Sequence, residues 1–345
     1  MNPIIKWRGG KSKEIQFFKD KIPLNFNRYI EPFVGGGGVF FNLEHPNSII
    51  NDINFEITSL YSIISSKSRL EKLLFNLNYI NKIRDEINTY FLNVSDNEIF
   101  NLFSGNMQTI NLSFFKELDQ LITLSIKDKI KRIKNIEVKE NKKFNNNELI
   151  EHIQTATQSA LYFYCRNIYN NGFIEDLEYY IANWYYVREF CYSSMFRFSK
   201  NGKFNVPYGG IGYNSKNFKT KIDNLDTNNL KSLLNNTKIE CLDFEVFFKK
   251  YDYFKEDDFL FIDPPYDSEF SQYNKEQDFD KKEQIRLFNE LLKINSKIMV
   301  VIKETDFIYD LYKNNFKIES FDKKYLTNMR NRNNQDVKHL IITNY

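Results

Sequence analysis

Phe259-Leu260-Phe261-Ile262-Asp263-Pro264-Pro265-Tyr266 is the stretch that decides the fold. Four uncharged apolar residues in a row read as a strand buried on both faces, as in the middle of a parallel sheet. Two prolines end it at once, because neither donates to a ladder and each restrains the residue before it. An acid and an aromatic ring are therefore expected at the carboxyl end of a central strand, the edge where open α/β sheets place their ligands.

That arrangement suits methyl transfer to the exocyclic amine of a base. Such an amine is a poor nucleophile while its lone pair is conjugated with the ring, and it needs acceptors for its two N–H groups. The Asp263 carboxylate and a Pro264 carbonyl that no ladder claims supply both. Tyr266 offers a flat face to a base taken out of the helix. A plain strand-to-loop turn can carry the same residues, so the rest of the chain has to decide.

Upstream, residues 29–34 lead into Gly35-Gly36-Gly37-Gly38 and then the apolar residues 39–43: strand, glycine loop, helix start. A loop without Cβ atoms lets a nucleoside cofactor lie against the backbone. The second strand, residues 48–51, ends in Asp52, fifteen residues after Gly37, where an acid suits the two hydroxyls of a ribose. This pair leaves NAD and S-adenosylmethionine both open, although Phe40 breaks G-x-G-x-x-G at its third glycine position. A later short strand ends in Asp243-Phe244, a candidate edge for holding an adenine.

The first motif, Lys6-Trp7-Arg8-Gly9-Gly10-Lys11-Ser12-Lys13, sets a large ring beside two glycines and four cations. Its lysines can meet a carboxylate or phosphates. It is not a P-loop, because Ile5 stands where the first glycine would be. Residues 1–11 lack the apolar core of a signal peptide, and no apolar run approaches the roughly 18 residues of a membrane span. The cytoplasm is the expected compartment.

At 345 residues the chain makes one large domain or two, and 42% hydrophobic with 27% charged residues is a globular composition. The net charge of +3 is the small difference between 48 basic and 45 acidic residues, so total charge hardly argues for a nucleic-acid partner. Cys165, Cys191 and Cys241 show no C-x-x-C spacing, which excludes a zinc knuckle and a disulfide framework. No metal is expected.

Leu60, Ile63, Ile64, Leu70, Leu73, Leu74 and Leu77 recur at helical spacing as a core-facing stripe. Residues 79–213 then read as irregularly helical with no parallel-strand signal. Within them, residues 127–143 carry eight basic and three acidic side chains, a solvated face or a helix lying on phosphates. Residues 141–147 look like a loop. Residues 193–210 alternate about a turn at Asn201-Gly202, the pattern of a hairpin. A two-stranded ribbon can enter a major groove, where Arg197 would reach a guanine edge and Met195 or Pro207 a thymine methyl. A structural hairpin has the same pattern.

Beyond Tyr266, residues 267–280 read as a lid containing Phe270 and Tyr273. Residues 281–293 read as a helix with Ile285, Leu287, Phe288, Leu291 and Leu292 inward, and residues 297–302 as a buried strand. Residues 316–321 and 337–343 read as two late strands joined by a loop containing Lys323, Lys324, Arg330 and Arg332.

Taken together and in this order, the pieces resemble the Dam-like, D12 class DNA adenine-N6 methyltransferases. Lys6 to Lys11, Glu31-Pro32-Phe33-Val34-Gly35-Gly36-Gly37, Asn51-Asp52-Ile53-Asn54, the Arg197 to Gly209 hairpin and Asp263-Pro264-Pro265-Tyr266 all have counterparts there. The resemblance implies S-adenosylmethionine as cofactor, with Trp7, Lys11, Phe33, Gly35, Gly37, Asp52, Asp243 and Asp263 binding it. It implies that Asp263, Pro264 and Tyr266 serve the target amine, and that Lys6, Met195, Arg197 and Pro207 face bases of double-stranded DNA. A cognate restriction endonuclease is a candidate partner; no membrane and no metal are implied. The stretch between Asp52 and the hairpin is longer than in compact members. Ser193, Gly210 and Ile211 depart from residues that GATC-specific members carry, which puts a GATC target in doubt.

The expected fold is therefore α/β: a Rossmann-like methyltransferase sheet of seven strands, largely parallel, with one antiparallel strand near the C-terminus. Residues 1–59 and 215–345 would form the catalytic domain, and residues 60–214 an inserted, mostly helical target-recognition domain. Cytosine-N4 or RNA amino methylation and an inactive DNA-binding module are the alternatives. A nicotinamide oxidoreductase leaves Asp263-Pro264-Pro265-Tyr266 without a role. No Pro-Cys pair is present for cytosine C5 chemistry.

Overall fold

The computed structural model describes residues 1–7, 9–107, 110–172, 175–251, 254–265, 279–323 and 337–345. Arg8, Tyr266, Phe270, Tyr273, Lys324, Arg330 and Arg332 lie outside the described residues. The chain divides into two compact units, one of Met1–Ser66 with Thr227–Tyr345, the other of Lys67–Asp226.

The first unit is built on seven strands: β1 (Tyr29–Glu31), β2 (Ser48–Asn51), β3 (Thr237–Glu240), β4 (Phe259–Ile262), β5 (Lys297–Lys303), β6 (Lys317–Lys323) and β7 (Val337–Thr343). Their order is β3-β2-β1-β4-β5-β7-β6. β7 runs antiparallel to both its neighbours and the other pairings are parallel, as expected of the mixed α/β sheet. From β1 the chain steps outward to β2 and β3, then returns to lay β4 on the other side of β1. Strand order reverses there, and the crevice at the carboxyl ends of β1 and β4 is where such sheets bind ligands.

β4 is buried at all four positions, and its side chains alternate between two cores. Leu260 and Ile262 join Ile30, Val300 and Ile342 in a cluster with Phe247, Leu287 and Tyr312 from the helices Phe244–Lys250, Lys281–Leu291 and Asp306–Tyr312. Phe259 and Phe261 face the N-terminal segment, with ring centroids 5.3 Å from Phe26 and 5.6 Å from Phe18. Each such side chain contributes roughly 1.5–3 kcal/mol by leaving water. β1 is shorter than the sequence pattern, ending at Glu31 because Pro32 has no N–H to continue the ladder.

The helix Lys281–Leu291 turns a different face inward from the one its apolar residues suggested. Leu287 and Leu291 are buried, but Ile285 and Leu292 are 42% and 48% exposed, and Gln284 is buried in their place.

The second unit is helical: Lys67–Asn93, Asp96–Phe103, Lys116–Glu140, Asn146–Asn171 and Leu177–Phe190. Among its described residues the β pairing consists of two isolated bridges, Cys191 with Tyr208 and Phe198 with Phe204. The expected apolar stripe is split between the units, because Ser65 and Ser66 separate the helices Phe55–Ile64 and Lys67–Asn93. The boundaries thus fall later than 60 and 214. Phe55–Ile64 packs against β3 in the first unit, whereas buried Arg84 of Lys67–Asn93 donates to the carbonyls of Tyr213 and Asn214 and retains that segment in the second.

Asn141 ends Lys116–Glu140 in the left-handed region, and Asn145 caps the next helix. Among the described residues no helix is long and apolar enough to cross a membrane, no cluster of potential metal ligands occurs, and all three cysteines are free.

Candidate active site

Asp263 follows β4 directly as a carboxylate 18% exposed, and the Lys11 ammonium lies 2.5 Å from its Oδ1. Lys11 is only 2% exposed. A cation so buried requires an anionic partner, and the Asp263 carboxylate supplies it. The glycine loop makes this approach possible. A Cβ on Gly38 would stand 2.9 Å from the backbone nitrogens of both Lys11 and Ser12, so only glycine lets the two segments meet.

Gly35 and Gly36 serve Trp7. A Cβ on Gly35 would stand 2.7 Å from the indole Nε1, and one on Gly36 2.6 Å from the Trp7 Cβ. The sequence pattern assigns this bare backbone to a nucleoside; on these two residues an indole covers it. Gly37 has a φ of +70°, which glycine adopts without strain.

Asp52, at the exit of β2, accepts from the Gly35 N–H through Oδ2 and from the Asn54 N–H through Oδ1, both at 2.8 Å. It therefore ties the glycine loop to β2. Loss of hydration raises its pKa to about 6, against the pull of those two N–H groups. Each carboxylate oxygen has a second lone pair, so acceptor capacity for a ribose hydroxyl remains. Beneath the site lies Glu31, pushed well above the usual carboxylate range by burial and further by the charges of Asp263 and Asp52; the Tyr29 hydroxyl donates to it at 2.8 Å.

Buried Asn51 joins three strand exits. Its Nδ2 donates to the carbonyls of Pro32 and Leu242, and its Oδ1 accepts from the Leu242 N–H. Asp243 follows at the exit of β3, capping Phe244–Lys250 through the Glu245 N–H and pairing with Arg286, whose Nη2 is 2.7 Å from Oδ2. An adenine contact at Asp243 has to be shared with that arginine. Phe33 stands 5.6 Å from Phe244 and 5.7 Å from Phe279, ring centre to ring centre, and the Arg286 guanidinium covers the other ring, 4.2 Å from the Phe244 centroid.

Pro264 is buried. Gln284 donates from Nε2 to the Pro265 carbonyl at 2.9 Å, and no partner for its buried Oε1 occurs among the described residues. The turn after β4 is thus held from two sides, by Lys11 and by Gln284.

The model of the D12 class N6 adenine-specific DNA methyltransferases matches residues 7–327. The chain belongs to this family. It is 28% identical over 350 residues to the Type II methyltransferase M.CviBI of Paramecium bursaria Chlorella virus NC1A, covering all of both chains. It is 28% identical over 364 residues to the Type II methyltransferase M.MjaIII of Methanocaldococcus jannaschii, covering all of this chain and 99% of the other. The DNA adenine methylase of Escherichia coli strain K12 is 38% identical over 64 residues, 19% of this chain and 23% of that one.

In this D12 class enzyme the structure brings Trp7, Lys11, Phe33, Gly35, Gly37, Asp52, Asp243 and Asp263 to one edge of one sheet. Lys6 is half-buried beside Trp7. Met195, Arg197 and Pro207 belong to the other unit, on a ribbon whose turn carries Asn201 and Gly202; the Ser199 N–H donates to the Lys203 carbonyl and the Asn205 N–H to the Arg197 carbonyl. Arg188, fully buried, sets the start of that ribbon by donating to the carbonyls of Ser194 and Met195 beneath the Phe196 ring, 3.6 Å from its centroid. Ser193 and Ser194, with φ of 51° and 52°, are held in the left-handed region there. Gln284, Arg286 and Arg188 are not marked by the sequence pattern, and Glu31 and Asn51 stand in its motifs without a role of their own. Asn51 had a signal in its place beside Asp52 and Glu31 in its place before the glycine loop; Gln284, Arg286 and Arg188 look like ordinary helix positions.

Proposed function

We propose that this D12 class enzyme methylates N6 of adenine in double-stranded DNA with S-adenosylmethionine as donor, acting on a base taken out of the helix. The observation that carries the reading is Asp263 at the exit of β4, paired with Lys11, whose backbone lies against Gly38 of the glycine loop. The residues present suit this cofactor: an acid at the exit of β2 for the ribose, an aromatic wall of Phe33, Phe244 and Phe279, and Trp7 and Lys11 over the loop. When bound, it supplies an electrophilic methyl on a sulfonium.

The protein's share of the chemistry is placement and electrostatics. Asp263 and the Pro264 carbonyl accept the two N–H groups of the target amine, drawing its lone pair out of conjugation and aiming it. Lys11 fixes the Asp263 carboxylate through Oδ1. Gln284 takes the neighbouring Pro265 carbonyl and so sets the path of the backbone that presents Pro264. Tyr266 is assigned the stacking face under the flipped base. No covalent intermediate is required, and the surplus amine proton passes to solvent after transfer.

The helical unit is assigned target recognition, with its ribbon in the major groove; Lys6 of the first unit is assigned a base contact. Seven cations within residues 127–143 are exposed and Lys129 is half-buried, which suits contacts to phosphates. The cytoplasm is the proposed compartment. A cognate restriction endonuclease is a proposed partner, on the grounds that relatives matched over their full length are named Type II methyltransferases. The test is transfer of a labelled methyl group from S-adenosylmethionine to duplex DNA, with the product nucleoside identified. N6-methyl-2′-deoxyadenosine supports the reading, and label in deoxycytidine, or in RNA offered in place of the DNA, replaces it.

A further inference from the structure

The bridge between Phe198 and Phe204 puts Arg197 directly across the ribbon from Asn205. Residues 203, 205 and 207 are exposed while 204, 206 and 208 are buried, so Asn205, Pro207 and Arg197 share the outward face. On that face Arg197 donates from Nε to the Asn205 Oδ1 at 2.8 Å and from Nη2 to the Asn205 carbonyl at 3.1 Å. One long edge of the guanidinium is therefore consumed by a single residue.

We infer that Asn205 is a specificity-determining positioning residue, which orients Arg197 so that its other edge, Nη1 with Nη2, reads a guanine. A guanidinium carries five N–H groups in a fixed plane. With Nε and one Nη2 hydrogen committed, the remaining donors of Nη1 and Nη2 form an end-on fork that matches the paired O6 and N7 acceptors of guanine in the major groove. Orientation matters here because an exposed arginine samples many rotamers, and each one lost on binding weakens the contact. Two bonds to the opposite strand remove that freedom before DNA arrives.

The inference rests on the reading of Arg197 as a base-reading residue, and the test separates the two. Genomic DNA from a host without adenine methylation is treated with the purified enzyme or with Arg197→Ala, Asn205→Ala, Asn205→Asp or the double variant Arg197→Ala/Asn205→Ala. Methylation-aware sequencing then scores preference at each position of the recognised site. Arg197→Ala is expected to lose about 5- to 150-fold in discrimination at one base pair, the worth of one bidentate guanine contact. Asn205→Ala is expected to lose roughly 3- to 30-fold at that same base pair and no other, and the double variant no more than Arg197→Ala alone. Asn205→Asp retains both acceptors and is expected to keep the preference.

Uniform weakening of Arg197→Ala across all sequences would assign that side chain to a phosphate and overturn the reading beneath the inference. Lost discrimination in Arg197→Ala with full discrimination in Asn205→Ala would overturn the inference alone. Additive losses in the double variant would do the same, because Asn205 would then be contacting DNA on its own account.

Discussion

Lys11 Nζ and Asp263 Oδ1 lie 2.5 Å apart, the lysine 2% exposed. The residue placed nearest the chemistry is therefore also the counter-ion of a buried cation, and Asp263→Ala removes both. Truncating one partner of such a pair costs about 3–5 kcal/mol. Asp263→Ala should lose activity and also unfold earlier in denaturant, while Asp263→Ala/Lys11→Met recovers much of the stability and none of the activity. Recovery of methylation in the double variant would remove Asp263 from the reaction.

Gly38→Ala tests the close approach that brings Lys11 in. Its Cβ would meet two backbone nitrogens at 2.9 Å, and backbone yields less readily than a side-chain end. Displacement of residues 11–12 should weaken S-adenosylmethionine binding at least tenfold, about 1.4 kcal/mol, measured by calorimetry. Unchanged affinity would show that the contact is slack.

Asp52 gives a pH dependence. Its folded pKa of about 6 lies above the 3.8 of an unperturbed aspartate, so the folded protein binds more protons between those values than the unfolded chain. At this group, stability is greatest on the acid side and falls as pH rises through that window. Cofactor affinity runs the other way, since only the carboxylate accepts from both ribose hydroxyls. Affinity should drop below about pH 6 in the wild type, and Asp52→Asn should bind weakly without that dependence. A flat profile in the wild type would separate Asp52 from the ribose.

Gln284→Ala removes the donor to the Pro265 carbonyl. One hydrogen bond contributes about 1 kcal/mol to stability, a modest change. If Gln284 positions Pro264, kcat should fall roughly tenfold at nearly constant KM for S-adenosylmethionine, and Gln284→Glu, which lacks the donor when ionised, should resemble alanine. Wild-type kcat in both variants would reduce Gln284 to a packing role.

The sheet was legible because β4 and β5 are continuous apolar runs, and the places of Gly35, Gly37 and Asp52 at its edge because they are fixed by spacing along the first two strands. Asn201-Gly202 announced the ribbon. What remained hidden depends on polar groups answering one another across long separations. Gln284 looks solvent-facing until the Pro265 carbonyl, 19 residues earlier in the chain, needs a donor. Apolar residues at 285, 287, 288, 291 and 292 cover more than one helical face, so periodicity alone could not choose between them. Arg188 and Arg84 are likewise each buried and bound to loop carbonyls that no sequence period marks.

The central claim is that Asp263 at the exit of β4 presents an adenine of duplex DNA for methylation at N6. The most direct measurement is expression of the wild type and of Asp263→Asn in a host lacking adenine methylation, followed by methylation-aware sequencing of that host's DNA. The account predicts N6-methyladenine at one short motif from the wild type and unmodified DNA from equal amounts of the folded variant. N6-methyladenine at the same motif and level from both proteins would contradict it.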